Sequence, residues 1–162
     1  MAREIERKFL VDGDGWKKKA KAGKRIRQAI IFSEGDRSLR IRAIDGKKAR
    51  LTLKIGISGM SRHEFEYEVP MSDAEELLEL ARGKILAKTR YDIQYKKHVW
   101  EVDVYEGHLE GLIVAEVEIE SEDAEVELPP WIGREVTGDR RFSNQALAEG
   151  SLGENWRDGL QA

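Results

Sequence analysis

Along most of the chain, apolar and charged residues alternate with a period of two, the signature of strands that bury one face. The alternation predicts strands at residues 3–11, 26–32, 39–43, 49–55, 61–69, 86–95, 99–105 and 112–119. Asp45-Gly46-Lys47 reads as a hairpin turn and Ser58-Gly59 as another. Three short segments carry helical signals instead. Residues 15–22 have Trp16 as their apolar anchor. Residues 72–82 start on a capping box of Ser72 and Glu75, carry a stripe of Leu77, Leu78 and Ala81, and stop at Gly83. Residues 143–148 follow the break at Pro129-Pro130 and take Ser143 as N-cap. The chain is expected to hold one domain, residues 1–150, followed by a loosely ordered C-terminal tail, residues 151–162, for which Trp156 and Leu160 are the candidate anchors.

Successive strand side chains point to opposite faces, so each strand divides into two sets. Glu4, Glu6 and Lys8 oppose Ile5, Phe9 and Val11. Arg40 and Arg42 oppose Leu39 and Ile41, and Arg50, Thr52 and Lys54 oppose Leu51, Leu53 and Ile55. Arg62, Glu64, Glu66 and Glu68 oppose Phe65, Tyr67 and Val69. Lys88 and Arg90 oppose Thr89 and Tyr91, and Glu101 and Asp103 oppose Val102 and Val104. Glu116, Glu118 and Glu120 oppose Val117 and Ile119.

Two arrangements explain such faces. The first is an antiparallel sheet with a solvated, mixed-charge outer side, which composition alone favours. The second is a closed barrel turned inside out, with a polar lumen and an apolar exterior under short helices; closure also removes edge strands. The second has a chemical consequence. Clustered cations call for an anion and clustered carboxylates for a cation, and a polyphosphate carrying divalent metal ions supplies both. Unpaired charges in a lumen cost several kcal/mol each, so an empty lumen must be wet or internally paired.

Composition narrows the chemistry. The 162 residues suffice for one core, and 36% of them are charged. The net charge of −3 is not an electrostatic footprint for nucleic acid, so no nucleic-acid partner is expected. The absence of cysteine excludes disulfides, thiolate metal sites and cysteine nucleophiles. The three histidines are scattered, which argues against a histidine-rich metal site. No apolar N-terminal region or membrane-length run is visible, so a cytoplasmic protein with no membrane partner is expected.

The order of charged motifs resembles one known family. Glu4-Ile5-Glu6-Arg7-Lys8 matches the ExExK signature of the CYTH superfamily, the triphosphate tunnel metalloenzymes. Leu39-Arg40-Ile41-Arg42 resembles its paired arginines, Leu51-Thr52-Leu53-Lys54 its T-x-K strand, and Arg62-His63-Glu64-Phe65-Glu66 its R-x-E-x-E element. Lys88-Thr89-Arg90 resembles its K-x-R strand, and Glu101-Val102-Asp103 and Glu116-Val117-Glu118 its later acidic strands. The segment from Val136 to Asn144 is similar to the closing segment of the family, and the resemblance spans residues 3–148. Relatives usually read D-K-R-Y in that segment. Here Arg140 keeps the charge of the lysine, and Phe142 lacks the tyrosine hydroxyl.

The resemblance implies a mainly β, α+β fold: an eight-stranded antiparallel tunnel barrel with a charged lumen and short helices outside. It implies a divalent-metal-dependent triphosphatase, most similar to short bacterial inorganic triphosphatases, using Mg²⁺ or Mn²⁺ as a pair of ions. Arg40, Arg42, Lys54, Lys88 and Arg90 are expected on the triphosphate oxygens, with Lys8, and with Arg140 reaching in from the closing segment. Glu116 and Glu118 are expected to hold a bridging metal. Glu4 and Glu6 are expected to hold a second metal or the attacking water, and with Lys8 they form the catalytic set. Arg62, Glu64, Glu66, Glu101 and Asp103 either share these roles or salt-bridge the tunnel cations. Alternatives within the same anion site are a thiamine or nucleoside triphosphatase, an adenylyl cyclase and a non-catalytic polyphosphate binder. A thiamine triphosphatase needs an aromatic platform at the tunnel mouth, for which Trp16, Trp100 and Trp131 are the candidates. The expected assembly is a monomer or homodimer.

Overall fold

The computed structural model describes residues 3–81, 85–150, 152–153 and 156–159. The alternating segments form β1 (Arg3–Val11), β2 (Lys24–Glu34), β3 (Arg37–Ile44), β4 (Lys48–Gly56), β5 (Ser61–Val69), β6 (Leu86–Tyr95), β7 (His98–Tyr105) and β8 (Ile113–Glu118). Their order, β5-β4-β3-β2-β6-β7-β8-β1, closes through a further pairing of β1 with β5, and each pairing is antiparallel. The sheet is therefore a closed ring with an inside and an outside. The β3–β4 turn places Asp45 at φ 53° and Gly46 at φ 65°, the left-handed pair of a tight hairpin.

Closure of the ring is completed by a strand that the alternation does not reveal. β1 pairs with β5 only over Arg3–Ile5. Farther along, the same edge of β1 is taken by β9 (Ile132–Glu135), through Phe9↔Glu135 and Val11↔Ile132. Between these two pairings the Glu6 N–H donates to the Met60 carbonyl, and the Lys8 N–H donates to Thr137 Oγ1 at 2.9 Å. The β9 strand is only four residues long, contains Gly133, and follows two prolines, so it leaves almost no periodic signal. Just past it, Gly138 (φ 74°) lies against Gly59 of the β4–β5 loop.

An inside-out barrel needs its apolar exterior covered, and the covers are small. α1 (Met71–Leu80) lays Ala74 and Leu78 on Ala29, Ile41, Ala43 and Ala49 of β2–β4. The capping box expected at Ser72 and Glu75 does not form. Pro70, extended at ψ 143° and without an N–H, stands at the N-cap instead, and the helix begins at Met71. Ala81 is extended and ends the helix; Gly83, expected as the stop, lies outside the described residues. The helix expected at 15–22 is one 3₁₀ turn, Gly15–Lys19, because a single apolar anchor gives no stripe to pack. That anchor is buried as expected. Trp16 stacks on Tyr91 at 5.2 Å, within a cluster that includes Phe9, Trp100 and Trp131 on the outside of β1, β8, β7 and β6.

A third cluster gathers Leu10, Leu86, Tyr105, Leu112, Phe142, Leu147 and Trp156. α2 (Asn144–Ala148) brings Leu147 and Ala148 to it, and its N-cap is the expected one: Ser143 Oγ accepts from the Ala146 N–H at 3.1 Å. α3 (Trp156–Gly159) docks the tail through Trp156, while Leu160 lies outside the described residues. Among the described residues no helix is long and apolar enough to cross a membrane.

The Gly59–Gly138 contact yields a stability prediction. An alanine Cβ at Gly138 meets Gly59 only at ordinary contact distance, so the cost of Gly138→Ala comes from the left-handed backbone and is about 1–2 kcal/mol. Gly138→Asn should cost less, because asparagine tolerates that region. Urea unfolding measures both, and equal stability of all three proteins would contradict this placement of the closing segment.

Candidate active site

The inward face of the ring is the charged one. A cavity of about 1070 Å³ runs through it, lined by β1 residues Glu4, Glu6 and Lys8, β3 residues Arg40 and Arg42, and Arg50 and Lys54 of β4. Arg62, Glu64 and Glu66 of β5, Arg90 of β6, Glu101 of β7, and Glu116 and Glu118 of β8 complete the wall. The closing segment adds Arg140, Ser143 and Asn144. Lys88 and Asp103, also expected in the site, are not part of the lining; they are buried beneath it.

The cations fall into two groups by what accepts from them. Asp103 takes Lys88 Nζ at 2.7 Å and both Arg90 Nε and Nη2, at 2.7 and 2.8 Å, while Arg90 Nη1 reaches Glu101 at 3.1 Å. Burial works to raise the Asp103 carboxyl, but Lys88 and Arg90 outweigh it and hold it down at about 2. Burial, against the pull of Asp103 and with Arg90 and Arg42 nearby, pushes Lys88 down to about 7. The positive charge of these two side chains is thus largely spent inside the protein.

Arg40 and Arg42 are placed differently. Among the described residues neither has a carboxylate within 4.0 Å. Arg42 Nε donates to the neutral Gln28 Oε1 at 2.9 Å. Arg40 Nη2 lies 3.5 Å from Thr52 Oγ1, and its Nε is buried without a hydrogen-bond partner. Burial, then the neighbouring Arg40 and Arg90, pushes Arg42 down to about 9; burial and Arg90 push Arg40 in the same direction. A guanidinium does not give up its proton in a protein, so these shifts express an unmet demand for negative charge. Lys54 is intermediate between the two groups. Its Nζ is 3.9 Å from both Glu4 and Glu64, beyond hydrogen-bond reach, and burial followed by Arg40 lowers it to about 8.

The carboxylates show the opposite imbalance at the other side of the lumen. β1 and β8 set Glu6 opposite Glu118 and Lys8 opposite Glu116. Burial, then Glu116 and Glu4, raises Glu6 to about 8, although Arg62 Nη2 is 3.3 Å from its Oε1. Burial opposes ionisation of Glu116 as well, but Lys8, Arg90 and Lys88 keep it ionised well below its ordinary value. Glu4 Oε2 is buried and has no hydrogen bond. Glu118 stands exposed at the rim, raised by burial and by Glu4. Glu66 pairs with Arg50 at 3.5 Å, and Glu101 is raised by burial against the pull of Arg90.

Lys8 ties the closing segment to this cluster. Its Nζ lies 3.5 Å from Glu116 Oε1 and donates to the Phe142 carbonyl at 3.2 Å. The Phe142 ring is buried among apolar side chains, a place that requires no hydroxyl. The three tryptophans considered as a mouth platform, Trp16, Trp100 and Trp131, all pack on the outer wall. Reading by strand faces did not single out Gln28, Ser143 and Asn144, and it placed Arg50 and Thr52 on the charged face without giving them a role. The charges of β2, Lys24, Arg25, Arg27 and Glu34, are all exposed, so the inward Gln28 carries no charge signal.

A closed barrel with buried, uncompensated guanidiniums facing a carboxylate cluster defines a chamber for a multiply charged anion. The chain belongs to the CYTH domain family, whose description matches residues 2–145. It is 45% identical to an inorganic triphosphatase of Acetivibrio thermocellus, covering 92% of this chain and 95% of that protein. It is 39% identical to an inorganic triphosphatase of Nitrosomonas europaea, with 90% and 96% covered. Among solved structures it is similar to the inorganic triphosphatase NE1496, with a TM-score of 0.65, 36% identity, and 91% and 95% of the two chains covered.

The Asp103 clamp generates a second prediction. Asp103→Asn leaves the buried Lys88 without a carboxylate and Arg90 with Glu101 alone, and should cost about 3–5 kcal/mol. The native carboxyl titrates at about 2 against 3.8 in the unfolded chain, so its stabilisation is complete above pH 3.8 and disappears as the pH falls through 2. Denaturant unfolding across that range should show this acid loss in the parent protein and its reduction in the variant; parallel pH curves would contradict the clamp.

Proposed function

We propose that this chain hydrolyses inorganic triphosphate to pyrophosphate and phosphate inside the barrel, with divalent metal ions as cofactors. The observation that carries this reading is the pair Arg40, buried, and Arg42, half-buried, on the lumen wall with no carboxylate within 4.0 Å of either among the described residues. Guanidinium forks match phosphate oxygens, and triphosphate supplies several negative charges in one linear molecule. The triphosphatase relatives support the choice of triphosphate over other anions. The burial of Trp16, Trp100 and Trp131 outside the barrel removes the platform on which a thiamine reading would rest.

The carboxylates fit a hard cation. Glu4 Oε2 is buried without a hydrogen bond, and burial and its acidic neighbours raise Glu6 to about 8, a shift that a bound cation would reverse to give the carboxylate. Among the described residues no three metal-ligating side chains already converge on one point. That suits Mg²⁺ or Mn²⁺, which take one or two carboxylates and complete their shell with water and phosphate oxygens. Glu4, Glu6, Glu116 and Glu118 are the side chains that would hold them. Such ions neutralise charge on the phosphate oxygens and lower the pKa of bound water.

The remaining steps belong to the chain. Arg40, Arg42 and Lys54 hold the triphosphate oxygens, with Arg140 closing from the segment after β9. Lys8, between Glu116 and the closing segment, sits where it can meet a phosphate at the carboxylate side. Water attacks a terminal phosphorus in line, a P–O–P bond breaks, and pyrophosphate leaves. Glu4 or Glu6 orients that water and accepts its proton. Lys88, Arg90 and Asp103 form the floor, with Arg90 alone of the three reaching the cavity lining.

A phosphate-release panel over triphosphate, pyrophosphate, ATP and thiamine triphosphate, with magnesium or manganese, tests the reading. Triphosphate should be turned over fastest, and a chelator should abolish release. Glu6→Gln should lower kcat about 100-fold or more while KM changes little. Arg42→Ala should raise KM about tenfold or more. Binding of triphosphate without phosphate release under any of these conditions would refute hydrolysis.

A further inference from the structure

We propose that Gln28 is a positioning residue that aims Arg42 at the substrate while leaving its charge unspent; the inference rests on the triphosphate reading above. Gln28 on β2 stands directly opposite Arg42 on β3, on the inward face. It is 1% exposed, and its Oε1 accepts from Arg42 Nε at 2.9 Å. An arginine can only donate, so the amide must turn its oxygen to Arg42. That orientation leaves Gln28 Nε2 buried with no hydrogen-bond partner. The side chain therefore keeps one donor unsatisfied in order to offer Arg42 an acceptor.

The identity of the acceptor matters more than its presence. A carboxylate in this place would hold Arg42 more tightly and cancel its charge, as Asp103 does for Arg90 through two hydrogen bonds of 2.7 and 2.8 Å. A neutral carbonyl fixes Nε and leaves the positive charge of Arg42, a residue of the cavity wall, with no carboxylate within 4.0 Å among the described residues. Thr52 offers Arg40 a neutral acceptor in the same way, at 3.5 Å. Lys88 and Arg90 are thus structural cations neutralised by Asp103, whereas Arg40 and Arg42 are substrate-facing ones with uncharged acceptors.

The test uses the whole chain and three variants, Gln28→Glu, Gln28→Met and Arg42→Met, plus the double variant Gln28→Met/Arg42→Met. Triphosphate affinity is read by calorimetry without metal, and KM and kcat by phosphate release with magnesium. Gln28→Glu keeps the shape and acceptor but neutralises Arg42, and should raise both Kd and KM about tenfold or more with kcat changed less than about threefold. Gln28→Met keeps the volume but loses the acceptor, and should raise them less. In the Arg42→Met background, Gln28→Met should change Kd by less than about twofold. A residue that only fills space predicts otherwise: Glu no worse than Met, or a Met effect that persists without Arg42, and either result overturns the proposal. If Gln28→Glu fails to fold, the cycle of methionine variants still decides. Parent protein that binds triphosphate without turnover would sink the hydrolase reading and leave Gln28 to be judged on Kd; parent protein that does not bind triphosphate overturns both.

Discussion

A guanidinium taken out of water without a counter-ion costs several kcal/mol; two residues apart on one strand, Arg40 is buried and Arg42 half-buried, with no carboxylate within 4.0 Å of either among the described residues. The rest of the structure follows from keeping them there. An inward charged face requires a closed wall, because an open sheet would turn the same residues to bulk water and the demand for an anion would vanish. Closure in turn leaves the apolar faces outside, where α1, the Trp16 turn and the segment before β9 must cover them. The net charge of −3 hides this arrangement, since the lumen separates its cations and carboxylates rather than balancing them at each point.

That separation is what gives the chamber a chemistry. If every cation were clamped as Lys88 and Arg90 are by Asp103, the lumen would be a stable polar core with nothing to bind. On the carboxylate side, burial with Glu116 and Glu4 raises Glu6 to about 8 in spite of Arg62. Arg40 and Arg42 lack carboxylate partners while Glu6 stands among acidic neighbours, and under the proposed reading a metal-bound triphosphate would correct both at once. The stability given up in the empty barrel reappears as binding energy, the trade expected where a site is built ahead of its ligand.

Much of this was legible in the alternation of residues. Period two fixes the face of a side chain, so Glu4, Glu6, Arg40, Arg42, Lys54 and Glu116 could be assigned to one side before any coordinates. Period two does not fix depth or partner. It therefore could not distinguish Lys88, buried on Asp103, from Arg42, which faces the cavity. It could not find Gln28, because the inward face of β2 carries a charge only at its exposed end, Lys24, and is neutral at Ile26 and Gln28. β9 was hidden by its four-residue length, and the helix start at Met71 by Pro70, which displaced a plausible capping box. Whether the charged face was solvated or enclosed could not be decided by alternation either; the ordered family motifs and the β1–β5 pairing decide it.

The central claim is that Arg40 and Arg42 are destabilising until an anion arrives. The most direct measurement is the melting temperature of metal-free protein, with and without triphosphate, for the parent and for Arg40→Met/Arg42→Met. The account predicts that triphosphate raises the parent's melting temperature. It also predicts that the double variant, relieved of two buried charges but similar in volume, melts no lower than the parent when empty and gains nothing from triphosphate. A variant that melts well below the empty parent, or that is still stabilised by triphosphate to the same extent, would contradict it.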